Sequence, residues 1–503
     1  VSLLMLEELE VEAVSVTLPL VCAVFIASLL QFNVGYNIGV MNPSEVVAFP
    51  GHTTLMWSIA VSAFCVGAPF GSAVAGRWAD ESGRRGALLL TTWLFLVGGL
   101  VQTVAPTLPV VVVARAIIGV ASGASTVLVP IYLGELAPPN LRGVIGTMTQ
   151  FSLNTGILAA DILGFPFVNK KLWRCLYLMV SIMGAIPLLL RPFLLESPRW
   201  LLGRDARSEE ARFAIKKLRG FRYDEEVETE VEHYVDAMRS QSMVSKDGGK
   251  RNAMAELFSD KKVRLLLVSS LVLQVANQLS GINAVFYYSG LFFNGVLNDP
   301  LVGTTLMGAI NVLATYIAVV LMDRCGRRTL VLWSSGGMCL SCILLVLSLL
   351  GYFGKMVALA AVAAYVALFQ LGLGPIPSLI VAEMFESKYV TTAMSVCSQL
   401  NWTCNFFVSL LFPYMDKYLG PYSFGPFTAV LLLTFLYAWI FLPETQGTTP
   451  AELQTELVRK NAGVTYHNMD IEGMSSSLPH LPLKTGNEWA DAFVALAEEE
   501  GLV

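Results

Sequence analysis

Apolar residues run in long blocks along this chain, separated by short polar or charged stretches. Blocks long enough to cross about 30 Å of hydrocarbon fall at about 15–40, 54–78, 86–106, 108–134, 142–166 and 172–195. A hydrophilic stretch follows at about 196–262. Six more blocks come at about 263–292, 300–322, 328–350, 355–386, 389–415 and 423–442, and a polar tail closes the chain. The pattern predicts twelve spanning helices. Within the central stretch, residues 204–240 mix Arg, Lys and Glu with Ala, Leu, Val and Phe, which predicts short amphipathic helices. Residues 241–252 read as a loop. In a tail whose polarity fits disorder, residues 490–500 have the spacing of an acidic amphipathic helix.

Composition supports the same class. Hydrophobic residues make up 55% of the 503 and charged residues 14%, against about 25% charged in soluble globular proteins. With a mean hydropathy of +0.62, this is an integral membrane protein. The eight cysteines, Cys22, Cys65, Cys175, Cys325, Cys339, Cys342, Cys397 and Cys404, lie in or beside apolar blocks and form no disulfide framework. Cys339-Ser-Leu-Cys342 has redox spacing but no βαβ context. Asn401-Trp-Thr403 matches a glycosylation sequon inside a predicted span. The first basic residue is Arg77, so no cleavable signal is expected. All but six of the 33 basic residues fall on one side of the twelve-span topology, the exceptions being Arg115, Lys170, Lys171, Arg174, Lys355 and Lys417. The positive-inside rule makes that side cytoplasmic and places both termini there.

The two halves repeat each other. Gly83-Arg-Arg85 has a partner in Gly326-Arg-Arg328. Glu135 and Glu196 stand 61 residues apart, and so do Glu383 and Glu444. Duplicated six-helix halves with a substrate site between them are a transporter architecture. The expected division is a cytoplasmic N-terminus at 1–14, a first bundle at 15–195, a helical linker at 196–262, a second bundle at 263–442 and a cytoplasmic tail at 443–503.

Candidate chemistry lies in the polar residues inside spans. Gln278-Leu-Ser-Gly-Ile-Asn283-Ala-Val-Phe-Tyr-Tyr288 places amides, a glycine and two tyrosines in a segment apolar enough to span. Gln31, Asn33, Asn37, Gln150, Asn154, Gln274, Asn277, Asn311, Gln370, Asn401 and Asn405 are also interior. Any one amide serves equally as helix–helix glue. Together, many amides with few charges suit a neutral, hydroxyl-rich ligand whose buried groups need partners. Gly372, Gly374, Pro375 and Pro377 interrupt one span and predict a bent, cavity-lining helix. Arg84, Arg85, Arg142, Arg199, Arg327 and Arg328 face Glu135, Glu196, Glu383 and Glu444 at predicted cytoplasmic helix ends, which predicts an inter-bundle salt-bridge gate. No phosphate loop, metal cluster or nucleophile–base set appears, and His52, His233, His467 and His480 are scattered. No enzyme, cofactor, metal or nucleic-acid partner is expected.

These landmarks resemble the sugar porter family of the major facilitator superfamily, and within it the facilitative glucose transporters. The resemblance covers nearly all of residues 20–450. It rests on Arg77-Trp-Ala-Asp-Glu-Ser-Gly-Arg-Arg85, Arg115-Ala-Ile-Ile-Gly119, Pro130-Ile-Tyr-Leu-Gly-Glu135, Leu141-Arg-Gly143, Glu196-Ser-Pro-Arg-Trp200, residues 278–288, Asp323-Arg-Cys-Gly-Arg-Arg328, Gly374-Pro-Ile-Pro377, Asn401-Trp402 and Pro443-Glu-Thr-Gln-Gly447. It implies an all-α major facilitator fold, two pseudo-symmetric six-helix bundles, alternating access and a hexose, glucose and/or fructose, as substrate. It also implies sugar contacts at Gln150, Gln278, Asn283, Asn311, Asn401 and Trp402, with Asn277 and Gln370 as variants of family positions. Tyr287 and Tyr288 resemble the family's outer gate. Ser378 stands where glucose-specific members carry Trp, which opens the pocket to fructose.

Proton-coupled relatives carry Asp after Gly-Tyr in the first span. Here the motif is Gly35-Tyr36-Asn37, and Asn cannot titrate, so passive uniport is expected. Arg115 would then be held by Asn37 and backbone carbonyls. Asp161, in the outer part of the fifth span, could titrate, pair with Arg115 or contact sugar hydroxyls. Two other functions stand beside the uniporter: a proton–hexose symporter using Asp161, and a non-transporting sugar sensor. The expected setting is the plasma membrane, with the lipid bilayer and a small sugar as partners and no oligomer required.

Overall fold

The computed structural model describes residues 16–45, 47–138, 141–245, 257–259, 261–293, 299–322, 324–385, 387–446, 448 and 453. Every regular element among them is helical. The first half comprises α1 (Leu18–Gly39), the short α2 (Met41–Ser44), α3 (Thr54–Val104), α4 (Leu108–Leu136), α5 (Arg142–Phe167) and α6 (Trp173–Leu189). Three linker helices follow: α7 (Pro198–Arg204), α8 (Glu209–Arg219) and α9 (Asp224–Ser245). The second half has α10 (Lys261–Leu279), α11 (Ile282–Phe293), α12 (Pro300–Met322), α13 (Arg327–Leu349), α14 (Lys355–Leu371), α15 (Ile376–Met384), α16 (Ser387–Leu419) and α17 (Gly425–Ile440).

Three backbone breaks reconcile this list with twelve spans. The 51 residues of α3 would run about 75 Å if straight, far beyond a bilayer. The backbone leaves helical geometry at Gly83 (φ 81°, ψ 167°), so α3 is two spans joined at the first Gly-Arg-Arg motif. A single span is split into α10 and α11 at Gly281 (φ 89°). The Gly/Pro segment interrupts another between α14 and α15, as its composition predicts. Spans pair across the halves in exchange: α5 packs on α12, and α3 packs on α16.

Small residues set the closest approaches. Gly67 and Gly71 of α3 face Gly119 and Gly123 of α4. A methyl at any of them would collide with a carbonyl oxygen of the opposite helix, the small-residue interface that helices use in lipid. The linker forms the predicted amphipathic helices. The expected loop at 241–252 gives way to helix as far as Ser245. Residues 246–252 and the tail at 490–500 lie outside the described residues. Arg219, 7% exposed, fastens the linker to the first half. It donates to Leu136 O at 2.8 Å and to Glu230 Oε1 at 2.9 Å, while Thr17 Oγ1 donates to Leu218 O at 2.8 Å.

Candidate functional site: an amide-lined cavity between the halves

The broken helices open the site. Where α10 stops at Leu279, its amides meet those of α11 and α16 in one network. Gln278 Nε2 donates to Asn277 Oδ1 at 2.8 Å and to Asn401 Oδ1 at 3.0 Å. Asn283 Nδ2 donates to Gln278 Oε1 at 2.6 Å. Asn401 Nδ2 returns bonds to Gln274 Oε1 at 2.8 Å and Asn277 Oδ1 at 3.0 Å. Carbonyls at and just after the Gly/Pro break are used too: Leu373 O accepts from Asn277 Nδ2 and Pro377 O accepts from Gln274 Nε2 at 3.0 Å. Beside this network, Gln370 Nε2 donates to Asn311 Oδ1 at 2.6 Å. That leaves Asn311 Nδ2 and Gln370 Oε1 buried without partners among the described residues, and burying such a group unpaired costs about 1–3 kcal/mol.

All these side chains line one cavity of about 1540 Å³. The first half contributes Gln150, Leu153, Asn154 and Ile157 from α5, and Trp402 and Asn405 complete the deep wall with α16. The cavity extends to Arg84, Glu135, Arg199 and Glu383 at the motif end. Its other end is shut. Tyr287 and Tyr288 are 0% and 1% exposed. Cys65 Sγ of α3 lies 3.7 Å from Tyr287 Oη, Tyr288 Oη donates to Ser409 O at 2.6 Å, and the Phe64 and Trp402 rings meet edge to face at 5.6 Å. The Cys65–Tyr287 and Phe64–Trp402 contacts join the two halves across the closed end, while the Tyr288–Ser409 bond braces it within the second half.

At the motif end the charges pair within each half. Arg84 donates from Nε and Nη2 to Glu135, both at 2.9 Å. Arg327 donates from Nε to Glu383 Oε1 at 3.0 Å. Glu196 Oε1 accepts the backbone N–H groups of Arg84, Arg85 and Ser197 at 2.8, 3.1 and 2.9 Å. Glu444 takes those of Arg327 and Arg328 at 2.7 and 3.2 Å. Burial raises the Glu196 carboxyl above the ordinary glutamate range, against the pull of those three donors and of the Arg84 charge.

A family model described as "Sugar (and other) transporter" matches residues 23–457. The chain belongs to the sugar (and other) transporter family. This transporter is 36% identical over 465 residues to facilitated glucose transporter member 3 of solute carrier family 2 from Ovis aries, covering 87% of this chain and 92% of that one. The Homo sapiens member 3 is 35% identical over 460 residues, with 86% and 91% covered. Among solved structures, the inward open xylose transporter XylE from E. coli matches with a TM-score of 0.72 at 25% identity, covering 87% of this chain and 99% of that one. A partially occluded inward open form of XylE matches equally well in TM-score at 24% identity. The transporter is thus an all-α, multi-pass membrane protein of the major facilitator fold, and no enzyme.

The transporter brings most of the expected substrate positions together: Gln150, Asn277, Gln278, Asn283, Asn311, Gln370, Ser378, Asn401 and Trp402 all line the cavity. Asp161 is a correction. It is 2% exposed but does not line the cavity and makes no pair with Arg115. It lies on the same face of α5 as Gln150, eleven residues and about 16 Å further along, where Gly308 lets α12 close against it. Arg115 is spent elsewhere, on Asn37 O at 2.8 Å, Val61 O at 3.3 Å and Ala60 O at 3.4 Å, with Phe64 over its guanidinium at 4.9 Å. In this conformation the charges of the expected gate pair within each half, since Arg84–Glu135 and Arg327–Glu383 each join helices of one half. Arg85 Nη2 donates to Arg191 O at 3.2 Å and Arg328 Nη2 to Trp439 O at 2.7 Å. Arg199 lines the cavity mouth, and the Arg142 side chain lies outside the described residues. Gln274, Asn154 and Asn405 were not singled out from sequence as site residues. Each stands four residues from one that was, on the same helix face, and that spacing is the signal that finds them.

Proposed function

We propose that this transporter carries a hexose across the membrane by alternating access, down its gradient and without proton coupling. The observation that carries the reading is the cavity: its deep wall holds neutral amides from both halves, several with unfilled hydrogen-bonding atoms, and no charged group. Gln150, Gln278, Asn283, Asn311, Gln370 and Asn401 would serve sugar hydroxyls, Asn277 would hold Gln278 and Asn401 in place, and the Trp402 ring would cover an apolar face. Ser378, small and open to the cavity, leaves room for fructose as well as glucose. Tyr287 and Tyr288 form the outer gate.

With the motif end cytoplasmic, as the basic residues favour, the transporter stands open to the inside. The bundle, linker and tail boundaries given above would then divide it, with both termini cytoplasmic in the plasma membrane and one chain sufficient for a pathway. On inward closure the mouths of the two halves approach. Arg84, Arg85, Glu135, Arg142, Glu196 and Arg199 would then meet Arg327, Arg328, Glu383 and Glu444 as the cytoplasmic gate. Passive transport is supported by Arg115, whose hydrogen-bond partners among the described residues are all carbonyls, so no carboxylate stands beside it to load with a proton. A symporter reading is carried by Asp161, a buried carboxyl with no cation beside it among the described residues.

Uptake of labelled glucose and fructose into proteoliposomes, with and without an inward proton gradient, tests all of this. Equilibration to one level in both conditions is expected. Accumulation above equilibrium only with the gradient would replace the uniporter with an Asp161-dependent symporter, and binding without uptake would replace it with a sensor.

A further inference from the structure

Asn154 sits one turn beyond Gln150 on α5, so the two amides share a face. Its side chain is 1% exposed and lines the cavity. The neighbouring wall of α5 is otherwise apolar, made by Leu153 and Ile157. Asn154 Nδ2 donates to Thr315 Oγ1 of α12 at 2.6 Å, a bond between the halves. The Thr315 hydroxyl proton is already committed to Asn311 O at 2.7 Å, so Thr315 Oγ1 can only accept here. That fixes which end of the amide faces Thr315. The other end, Oδ1, is an acceptor that receives no bond among the described residues.

We propose that Asn154 is a specificity-determining residue: its Oδ1 accepts a hydrogen bond from one hydroxyl of the transported sugar, with Thr315 holding the amide plane from the opposite half. The proposal rests on the sugar-transport reading above and deepens it. The physical argument is one of satisfaction. A ligand filling the cavity excludes water from Oδ1, and a buried amide oxygen then needs a donor. A sugar hydroxyl supplies one, and an analogue lacking that hydroxyl does not. A site built to bond a hydroxyl rejects the analogue without it far more strongly than an apolar wall rejects an added group. Because Thr315 belongs to the other half, the same amide senses both the sugar and the α5–α12 seam.

The test is competition against labelled glucose uptake by a panel of monodeoxyglucoses, in proteoliposomes holding the full-length wild type, Asn154→Leu or Thr315→Val. In the wild type, one analogue is expected to compete about 5- to 10-fold more weakly than glucose through loss of this bond. In Asn154→Leu, near in shape but without donor or acceptor, that penalty disappears. Its KM for glucose rises by about the same factor, while kcat stays within about twofold. Thr315→Val leaves Oδ1 present but releases the amide plane, so the penalty is expected to shrink by less than in Asn154→Leu. Should Asn154→Leu fold poorly, Asn154→Ser, which falls short of the sugar, is expected to give the same pattern. An unchanged penalty for every analogue in the Asn154 variants overturns the proposal, as does a fall in kcat alone, which would mark a seam contact only. Wild type that takes up no hexose removes the sugar reading itself and this proposal with it, a result distinct from an unchanged penalty.

Discussion

Arg84 clasps Glu135, and Arg327 clasps Glu383, each closing at 2.9 Å. Ser197 Oγ donates to Glu135 Oε2 and Thr445 Oγ1 to Glu383 Oε2, both at 2.5 Å. Arg84 Nη1 reaches Ala79 O at 3.1 Å, and Arg327 Nη1 reaches Met322 O at 2.9 Å. The motif ends of the two halves thus repeat each other almost bond for bond. The cavity wall does not. The second half brings most of the amides that line it, while the first contributes Gln150 and Asn154 from a largely apolar α5. The halves have kept the parts that brace each bundle as a rigid body and have diverged where the ligand is held. A moving scaffold needs the same brace on both sides, whereas recognition of one asymmetric ligand does not.

The largest effect should come from a backbone difference between the two braces. A Cβ at Gly83 would strike Glu196 Oε2, and one at Gly326 would strike Glu444 Oε2. Only Gly83 also holds φ at +81°, a region that costs other residues about 1–3 kcal/mol. Gly83→Ala should therefore lower the melting temperature in detergent clearly more than Gly326→Ala. Equal losses would mean that the steric clash alone governs both.

The cavity asymmetry predicts a smaller, functional difference. Gln278→Leu removes a hub bonded to Asn277, Asn283 and Asn401, and should lower kcat/KM for glucose uptake about 30-fold. Gln150→Leu should cost only about 5-fold on the same scale. Comparable losses would show that the first half carries an equal share of binding.

The smallest effect concerns pH. A carboxyl raised in the fold favours folding while protonated. The stability that Glu196 contributes is therefore present below the ordinary glutamate range and is lost as pH rises through its higher folded value. Glu196→Gln should flatten the melting temperature against pH over the weakly acid range, by the equivalent of about 1 kcal/mol or less. A variant with the slope of the wild type would place the titration elsewhere.

The twelve spans, the duplicated Gly-Arg-Arg and Glu positions and the broken tenth span were all legible in the chain, because hydrophobic length, Gly/Pro breaks and motif offsets are local properties. So was the membership of the amide cluster around Gln278 and Asn401. Less was legible where helix rotation and height combine. Asp161 shares a face with Gln150, and only the approach of α12 at Gly308 shows that the cavity ends before it. Asn154 looked like any interior amide until Thr315 of the other half appeared opposite it.

What the sequence determined by itself is the number and order of spans, their pairing into two like halves, and a neutral, amide-rich interior. What the tertiary structure decided is which partners those residues take: Glu135 with Arg84 rather than with the other half, Arg115 with carbonyls rather than Asp161, and a cavity sealed at Tyr287 and Tyr288. The reason is physical. Spans follow from the transfer of apolar side chains into lipid, which each segment settles alone. Pairing depends on which of several near-equal packings of two bundles is occupied, and no single segment carries that information.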